Sequence, residues 1–218
     1  MRIYKIPEQI SCIIFDIDST LYTHGEYARE QVDIQIRRFA DLRGMSAEEG
    51  RTLVADFRAE YERTNGKKIS LGNALTHFGI PIEESIRWRE ELIDPGLFLV
   101  RDLRLRQTLE QLGGSCYLAA VTNNPVKPAR ATLEALQVQD LFKTLIGLDT
   151  TKVSKPHAKP FLMAAEAAGA EPERCLSVGD RYDIDIALPL ELGMGGILVD
   201  GVEDVYGIPD LLPRRESR

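Results

Sequence analysis

Asp16-Ile17-Asp18-Ser19-Thr20 sets two carboxylates two residues apart, directly behind the apolar run Ile10 to Phe15. Carboxylates that end a buried segment are costly unless a cation sits beside them or the turn leaves them in water. Three readings compete. An EF-hand calcium loop needs Gly at its sixth position and Glu at its twelfth; Leu21 and Tyr27 stand there, so that reading fails. A turn with solvated acids is the plain structural reading. The chemical reading is an Asp nucleophile, a second Asp beside it for acid–base work, and a bound divalent cation.

Polar groups that end other apolar runs favour the chemical reading. Thr122-Asn123-Asn124 follows Ser115 to Val121, and Gly179-Asp180 follows Cys175 to Val178, with Asp183 and Asp185 close behind. Lys155-Pro156 lies in a loop ahead of a helical stretch. In an open parallel sheet, ligands bind outside the carboxyl ends of the strands, so these groups converge on one crevice. Acidic pairs, a hydroxyl, amides and one ammonium together have the composition of a Mg²⁺ and phosphate site.

The elements that must hold these groups follow from hydropathy. Ile10 to Phe15, Ser115 to Val121, Thr144 to Leu148, Cys175 to Val178 and Gly196 to Val199 are continuous apolar runs, the form expected of strands covered on both faces. Ala129 to Leu136, Lys159 to Ala168 and Ile184 to Leu192 carry helical patterns between them. Strand–helix–strand succession predicts an α/β fold, a doubly wound Rossmann-like parallel sheet. Residues 22–98 differ, with helix signals and no convincing strand. Val32, Ile36 and Phe39 share helical spacing, Ser46 with Glu49 forms a capping-box pattern, and Asn65-Gly66 breaks the helix it opens. Further helices are expected over Leu71 to Phe78 and Ile82 to Leu92, with Asp94-Pro95-Gly96 as the exit turn. The predicted organisation is a core of residues 1–21 and 99–218, with a helical cap of residues 22–98 inserted after the first strand. Pro213 to Arg218 is expected to fray.

The motifs, in this order, resemble those of the haloacid dehalogenase-like hydrolases. Phe15-Asp16-Ile17-Asp18-Ser19-Thr20-Leu21-Tyr22 is similar to the first, Thr122-Asn123 to the second, Lys155-Pro156 to the third, and Gly179-Asp180 with Asp183 and Asp185 to the fourth. The helical insertion sits where that superfamily places its first-type cap. Lys152 and Lys159 are near, but Lys155-Pro156-His157-Ala158-Lys159-Pro160-Phe161 fits the KPxPxxF form best with Lys155 leading, Ala158 replacing the usual Pro. The resemblance implies a phosphatase acting through an aspartyl-phosphate: Asp16 as nucleophile, Asp18 as acid and base, and Mg²⁺ held by Asp16, Asp180 and the Asp18 carbonyl. It gives Thr122, the Asn123 amide and Lys155 to the phosphate, with Thr20 bracing the turn and Asp185 orienting Lys155 or a metal-bound water.

Substrate choice would rest with the cap, where His24, Glu26, Tyr27, Arg58 and Tyr61 are the candidate groups. Asp16 to Tyr22 with Gly25, and Tyr61, Gly66 and Leu71-Gly72, resemble pyrimidine 5′-nucleotidases, implying a nucleoside 5′-monophosphate. Ser19-Thr20 and Thr23 depart from that pattern. The alternatives are a sugar phosphate or phosphoglycolate, a phosphomutase, or a dormant phosphate-binding module. Asp18 argues against halide displacement, which has no alkoxide to protonate.

Composition bounds the partners. The 218 residues carry 27 Lys and Arg against 34 Asp and Glu, a net charge of −7 that disfavours nucleic-acid and membrane-surface binding. No apolar stretch is long enough to span a bilayer, and Met1 to Cys12 does not read as a signal peptide, so a cytoplasmic protein with a small phosphorylated metabolite as its partner is expected. Cys12, Cys116 and Cys175 are scattered, as are His24, His77 and His157, which excludes a zinc cluster; the cysteines read as small buried hydrophobes. Cys175 stands where a nucleophile elbow needs Gly, and there is no P-loop.

Overall fold

The computed structural model describes residues 1–66 and 68–212; the tail Pro213 to Arg218 lies outside them. Two compact units are present: Met1–His24 with Pro95–Arg218, and Gly25–Asp94.

In the first unit, among the described residues, six strands form one sheet. They are β1 (Arg2–Lys5), β2 (Cys12–Phe15), β3 (Tyr117–Val121), β4 (Thr144–Ile146), β5 (Cys175–Gly179) and β6 (Gly195–Leu198), in the order β1-β6-β5-β2-β3-β4. β2 pairs in parallel with both β3 and β5, so the first strand in the apolar series is central. Its four residues are all buried, as are those of β5, which is why both read as unbroken apolar runs. On one sheet face Cys12, Ile14, Ala119, Val121 and Cys175 pack against Phe161, Ala164 and Ala165 of the helix Ala158–Ala167. The ring of Phe15, on the opposite face by strand alternation, meets Phe142 edge-on.

Several elements depart from the sequence reading. β1 was not expected; all four of its residues are exposed and it pairs antiparallel with β6, so backbone pairing places it there without a hydrophobic pattern. Leu148 leaves the strand and opens a short helix, Leu148–Thr151, its N–H donating to the Asn124 carbonyl. A helix over Leu103–Gly113, buried through Leu105, Leu109 and Leu112, adds to those expected. The stretch Ile184 to Leu192 is not one helix. It is a π-turn, Tyr182–Ile186, running into an α-helix, Ala187–Glu191. Single π-helical turns are frequent at functional sites, and this one carries Asp185. Cys12 and Cys175 are buried, whereas Cys116 is half-exposed.

The second unit is helical: α1 (Gly25–Arg43), α2 (Ala47–Asn65), α3 (Leu71–His77) and α4 (Ile82–Leu92). Ile36, Phe39, Val54, Leu71, Leu75, Ile80 and Trp88 make its core. Val32, expected on the same face as Ile36 and Phe39, is 39% exposed; the buried positions of α1 turn instead through Gln31 and Gln35. Gln35 is satisfied there, its side-chain carbonyl accepting from Arg89 Nε at 3.0 Å and its amide donating to the Gln31 carbonyl at 2.7 Å. Gly66 ends α2 in the left-handed region (φ 67°), its N–H donating to the Glu62 carbonyl. Among the described residues no helix is long and apolar enough to cross a membrane.

α2 opens with the capping box that the sequence signals. Ser46 Oγ accepts from the Glu49 N–H at 3.2 Å, and the Glu49 carboxylate accepts from the Ser46 N–H at 2.7 Å. Ser46→Ala should therefore destabilise the helical unit by about 1 kcal/mol. Urea denaturation followed by circular dichroism reads the change; a midpoint equal to that of the parent would mean that the box contributes nothing.

Candidate active site

Asp16 follows β2 and is buried, its N–H donating to the Val178 carbonyl of the neighbouring β5 at 2.9 Å. The chain must turn sharply after it, and Ser19 takes up the left-handed region (φ 61°), which costs a residue with a β-carbon about 1–2 kcal/mol. Thr20 Oγ1 lies 3.5 Å from Asp16 Oδ2, across that turn.

Lys155 reaches into the same point. Its ammonium donates to Asp16 Oδ1 at 2.7 Å and to Asp185 Oδ1 at 2.6 Å, with all three side chains at most 3% exposed. Lys159 turns elsewhere, to the Thr151 carbonyl at 3.1 Å. Asn123 fixes the Lys155 backbone from both sides: its side-chain carbonyl accepts from the Lys155 N–H at 2.7 Å, and its amide donates to the Lys155 carbonyl at 3.1 Å. His157 caps the helix Ala158–Ala167 through Nδ1, which accepts from the Lys159 N–H at 3.1 Å, so it plays a structural part. Gly179, the last residue of β5, leaves the room Asp185 needs. A Cβ at Gly179 would stand 2.4 Å from the Asp185 Cβ.

Burial pushes the Asp16 carboxyl up to about 7; Lys155 opposes this, while Asp185 and Asp18 add to it. For Lys155, burial works against the ammonium, but Asp16 and Asp185 outweigh it and hold the group above its usual value. Burial also raises Asp180, which Arg181 partly offsets. Asp180 Oδ1 is buried and has no hydrogen-bond donor among the described residues; Arg181 Nε stands 3.8 Å away. One oxygen each from Asp16, Asp180 and Asp185 lies within 4.8 Å of the others. Both Asp185 oxygens already have partners, Lys155 and the Arg181 N–H. An orphaned carboxylate oxygen beside a buried nucleophile-like Asp, in an all-oxygen donor set, fits a hard divalent cation such as Mg²⁺.

Asp18 is held separately. Tyr22 donates its phenol O–H to Asp18 Oδ1 at 2.6 Å, while Thr122 Oγ1 at 3.2 Å and Asn124 Nδ2 at 2.9 Å donate to Oδ2. Thr122 Oγ1 also accepts from the Asn124 N–H at 3.1 Å. Thus Asp16, Thr20, Asn123, Lys155 and Asp185 are joined by direct contacts, with an Asp180 oxygen within 4.8 Å of one from Asp16 and one from Asp185, while Asp18 and Thr122 form a second hydrogen-bonded group; all eight belong to the first unit. His24 belongs to that unit too, its ring edge-on to Phe98. Tyr27 is buried in α1 and Tyr61 lies on α2 beside Phe57, both in the helical unit. Sequence reasoning missed Tyr22 and the side chain of Asn124 as partners of Asp18. Both lie within or next to the motifs, but hydrogen bonds across an irregular turn leave no periodic trace.

Comparison with known proteins agrees with this geometry. Residues 10–192 match the haloacid dehalogenase-like hydrolase family. The phosphoglycolate phosphatase of Escherichia coli is 34% identical over 139 residues, which are 59% of this chain and 54% of that protein; the match thus spans about half the length of this relative. The phosphoglycolate phosphatase of Xanthomonas campestris pv. campestris is 28% identical over 191 residues, 85% of this chain and 80% of that one. Among solved structures, a HAD-superfamily hydrolase of subfamily IA from Geobacter sulfurreducens superposes with a TM-score of 0.61 at 21% identity, covering 93% of this chain and all of that one. With its strand-end carboxylates, its buried lysine and a family match over most of its length, the chain belongs to the haloacid dehalogenase-like hydrolases.

Proposed function

We propose that this protein is a Mg²⁺-dependent phosphatase of small organic phosphomonoesters, with phosphoglycolate or a comparable small metabolite ahead of a nucleoside monophosphate as substrate. The observation that carries the reaction class is the Asp16–Lys155–Asp185 triad beside the unpartnered oxygen of Asp180. The substrate class is supported by the two phosphoglycolate phosphatase relatives, which favour the small-metabolite alternative over the nucleotide.

In this reading Asp16 attacks phosphorus: a carboxylate oxygen forms the new P–O bond as the ester P–O bond breaks. Asp18 gives its proton to the departing alkoxide, then takes one from the water that opens the aspartyl-phosphate. Lys155 and the backbone N–H of Asn123 bind the phosphate oxygens as charge builds on them, and Thr122 lies within reach of the same group. Asp185 fixes the Lys155 ammonium from behind. Asp16, Asp180 and the Asp18 carbonyl would hold Mg²⁺, which when bound supplies the positive charge that lets an anionic nucleophile approach an anionic ester.

A panel of phosphomonoesters tests this reading. With Mg²⁺ present, 2-phosphoglycolate should be hydrolysed with a higher kcat/KM than a nucleoside 5′-monophosphate. The reverse order would return the nucleotide to first place, and no release of phosphate from any ester would sink the phosphatase reading. Asp16→Asn should lower turnover at least a thousandfold, roughly the scale of losing an activated nucleophile, while the thermal midpoint stays at or above that of the parent. A variant that keeps a tenth of the activity would exclude the covalent route.

The raised carboxyls give a pH test of the metal. Below about pH 6 Asp16 is mostly protonated in the folded protein, so a cation must displace a proton; above about pH 8 it binds ready-made carboxylates. The thermal shift produced by Mg²⁺ should therefore be larger at pH 8 than at pH 5.5, approaching about 2.7 kcal/mol of stabilisation at a hundred times the dissociation constant. Asp180→Asn should diminish it. A shift of equal size at both pH values, or one untouched by Asp180→Asn, would mean that the cation binds elsewhere.

A further inference from the structure

Tyr22 lies outside the groups to which the reaction above gives a part, yet it makes a short contact with one of them. Its ring is buried, 3% exposed, and its phenol donates to Asp18 Oδ1 at 2.6 Å. A hydrogen bond from a neutral hydroxyl to a carboxylate at this length belongs to the strong, charge-assisted class. Asn124 and Thr122 occupy the other oxygen, Oδ2.

The three donors differ in what they tolerate when Asp18 changes protonation state. The Asn124 amide nitrogen can only donate, so its bond to Oδ2 serves the unprotonated oxygen. The Tyr22 hydroxyl can donate to a carboxylate and, after turning about its C–O bond, accept from a carboxylic acid. The Thr122 hydroxyl has the same ability, but it also accepts from the Asn124 N–H, which restricts its rotation. Tyr22 thus keeps its partner through both halves of an acid–base cycle. The ring that carries the hydroxyl is immobilised by burial, and the backbone on its C-terminal side is pinned where Thr23 Oγ1 accepts from the Val202 N–H at 3.0 Å.

We propose that Tyr22 is a positioning residue that holds the Asp18 carboxyl in one orientation while it gives up and regains its proton. The inference rests on the phosphatase reading, in which Asp18 is the acid. In the resting acid the Tyr22 oxygen holds the Asp18 proton; as that proton turns to the leaving alkoxide, the phenol O–H turns back to donate to Oδ1, so Tyr22 acts through Asp18 and makes no contact with substrate. A misplacement of about 1 Å is enough to cost an acid or base much of its advantage, so loss of the hydroxyl should show in steps that depend on proton transfer and only there.

Tyr22→Phe removes the hydroxyl and keeps the buried ring. The value of kcat/KM, which reports steps through departure of the leaving group, is measured for an alkyl phosphomonoester and for p-nitrophenyl phosphate. The alkoxide needs a proton to leave; p-nitrophenolate scarcely does. For the alkyl ester kcat/KM should fall about tenfold or more, through kcat with KM little changed, while for p-nitrophenyl phosphate it changes less than about twofold. Because the two esters are compared on one sample, partial unfolding would lower both alike and leave their ratio untouched. An unchanged ratio would overturn the proposal. Absence of turnover of either ester by the parent protein would overturn the phosphatase reading itself, a different outcome.

Discussion

One ammonium between two buried carboxylates governs the arrangement of everything around it. Lys155 sits within 2.7 Å of both Asp16 and Asp185, and none of the three has water to fall back on. Removing such ions from water costs several kcal/mol each, a cost offset only when geometry is tight and remaining valences are filled. The surrounding structure supplies both conditions. Asn123 grips the Lys155 peptide at its N–H and its C=O, and adjacent parallel strands bring Asp16 and the π-turn with Asp185 to the same end of the sheet. Gly179 yields the space through which Asp185 reaches inward. With both carboxyls ionised, the three side chains carry one more negative charge than positive, before Asp18 and Asp180 are counted.

Asp180 and Asp18 show two opposite treatments of a carboxylate at the same end of the sheet. Asp18 is surrounded by donors on both oxygens, whereas among the described residues Asp180 keeps one buried oxygen without any. Saturation with hydrogen bonds fixes a group for proton transfer and leaves it little reason to bind a cation. An unsatisfied oxygen is poorly placed alone and well placed next to a metal. The electrostatic imbalance at this end of the sheet is therefore local, and it points to a single position.

Much of this was legible in the chain. Parallel strands buried on both faces leave continuous apolar runs, and polar residues at their carboxyl ends stand out against them; Asp16, Thr122 and Asp180 were visible for that reason. The capping box of Ser46 and Glu49 was legible because it is a local signal, complete within four residues. What escaped notice lacks either property. β1 is an exposed edge strand whose place is set by backbone pairing to β6, with no hydrophobic alternation to mark it. Val32 follows helical spacing yet faces outward, because Gln31 and Gln35 turn the buried stripe of α1 toward Arg89. Tyr22 stands in the sequence as the last residue of the first motif, and only its contact with Asp18, four residues back across an irregular turn, gives its hydroxyl a task.

The two margins of the sheet have a bearing on self-association. At one end lies β4, three residues long; at the other lies β1, whose register slips between Ile3 and Lys5 and whose side chains include Arg2 and Lys5. Short, irregular and cationic borders are poor templates for an incoming strand from another molecule. The antiparallel strand at the chain's start thus acts as a blunt hem on an otherwise parallel weave, sealing β6 and discouraging the edge-to-edge stacking that would lead to fibrils.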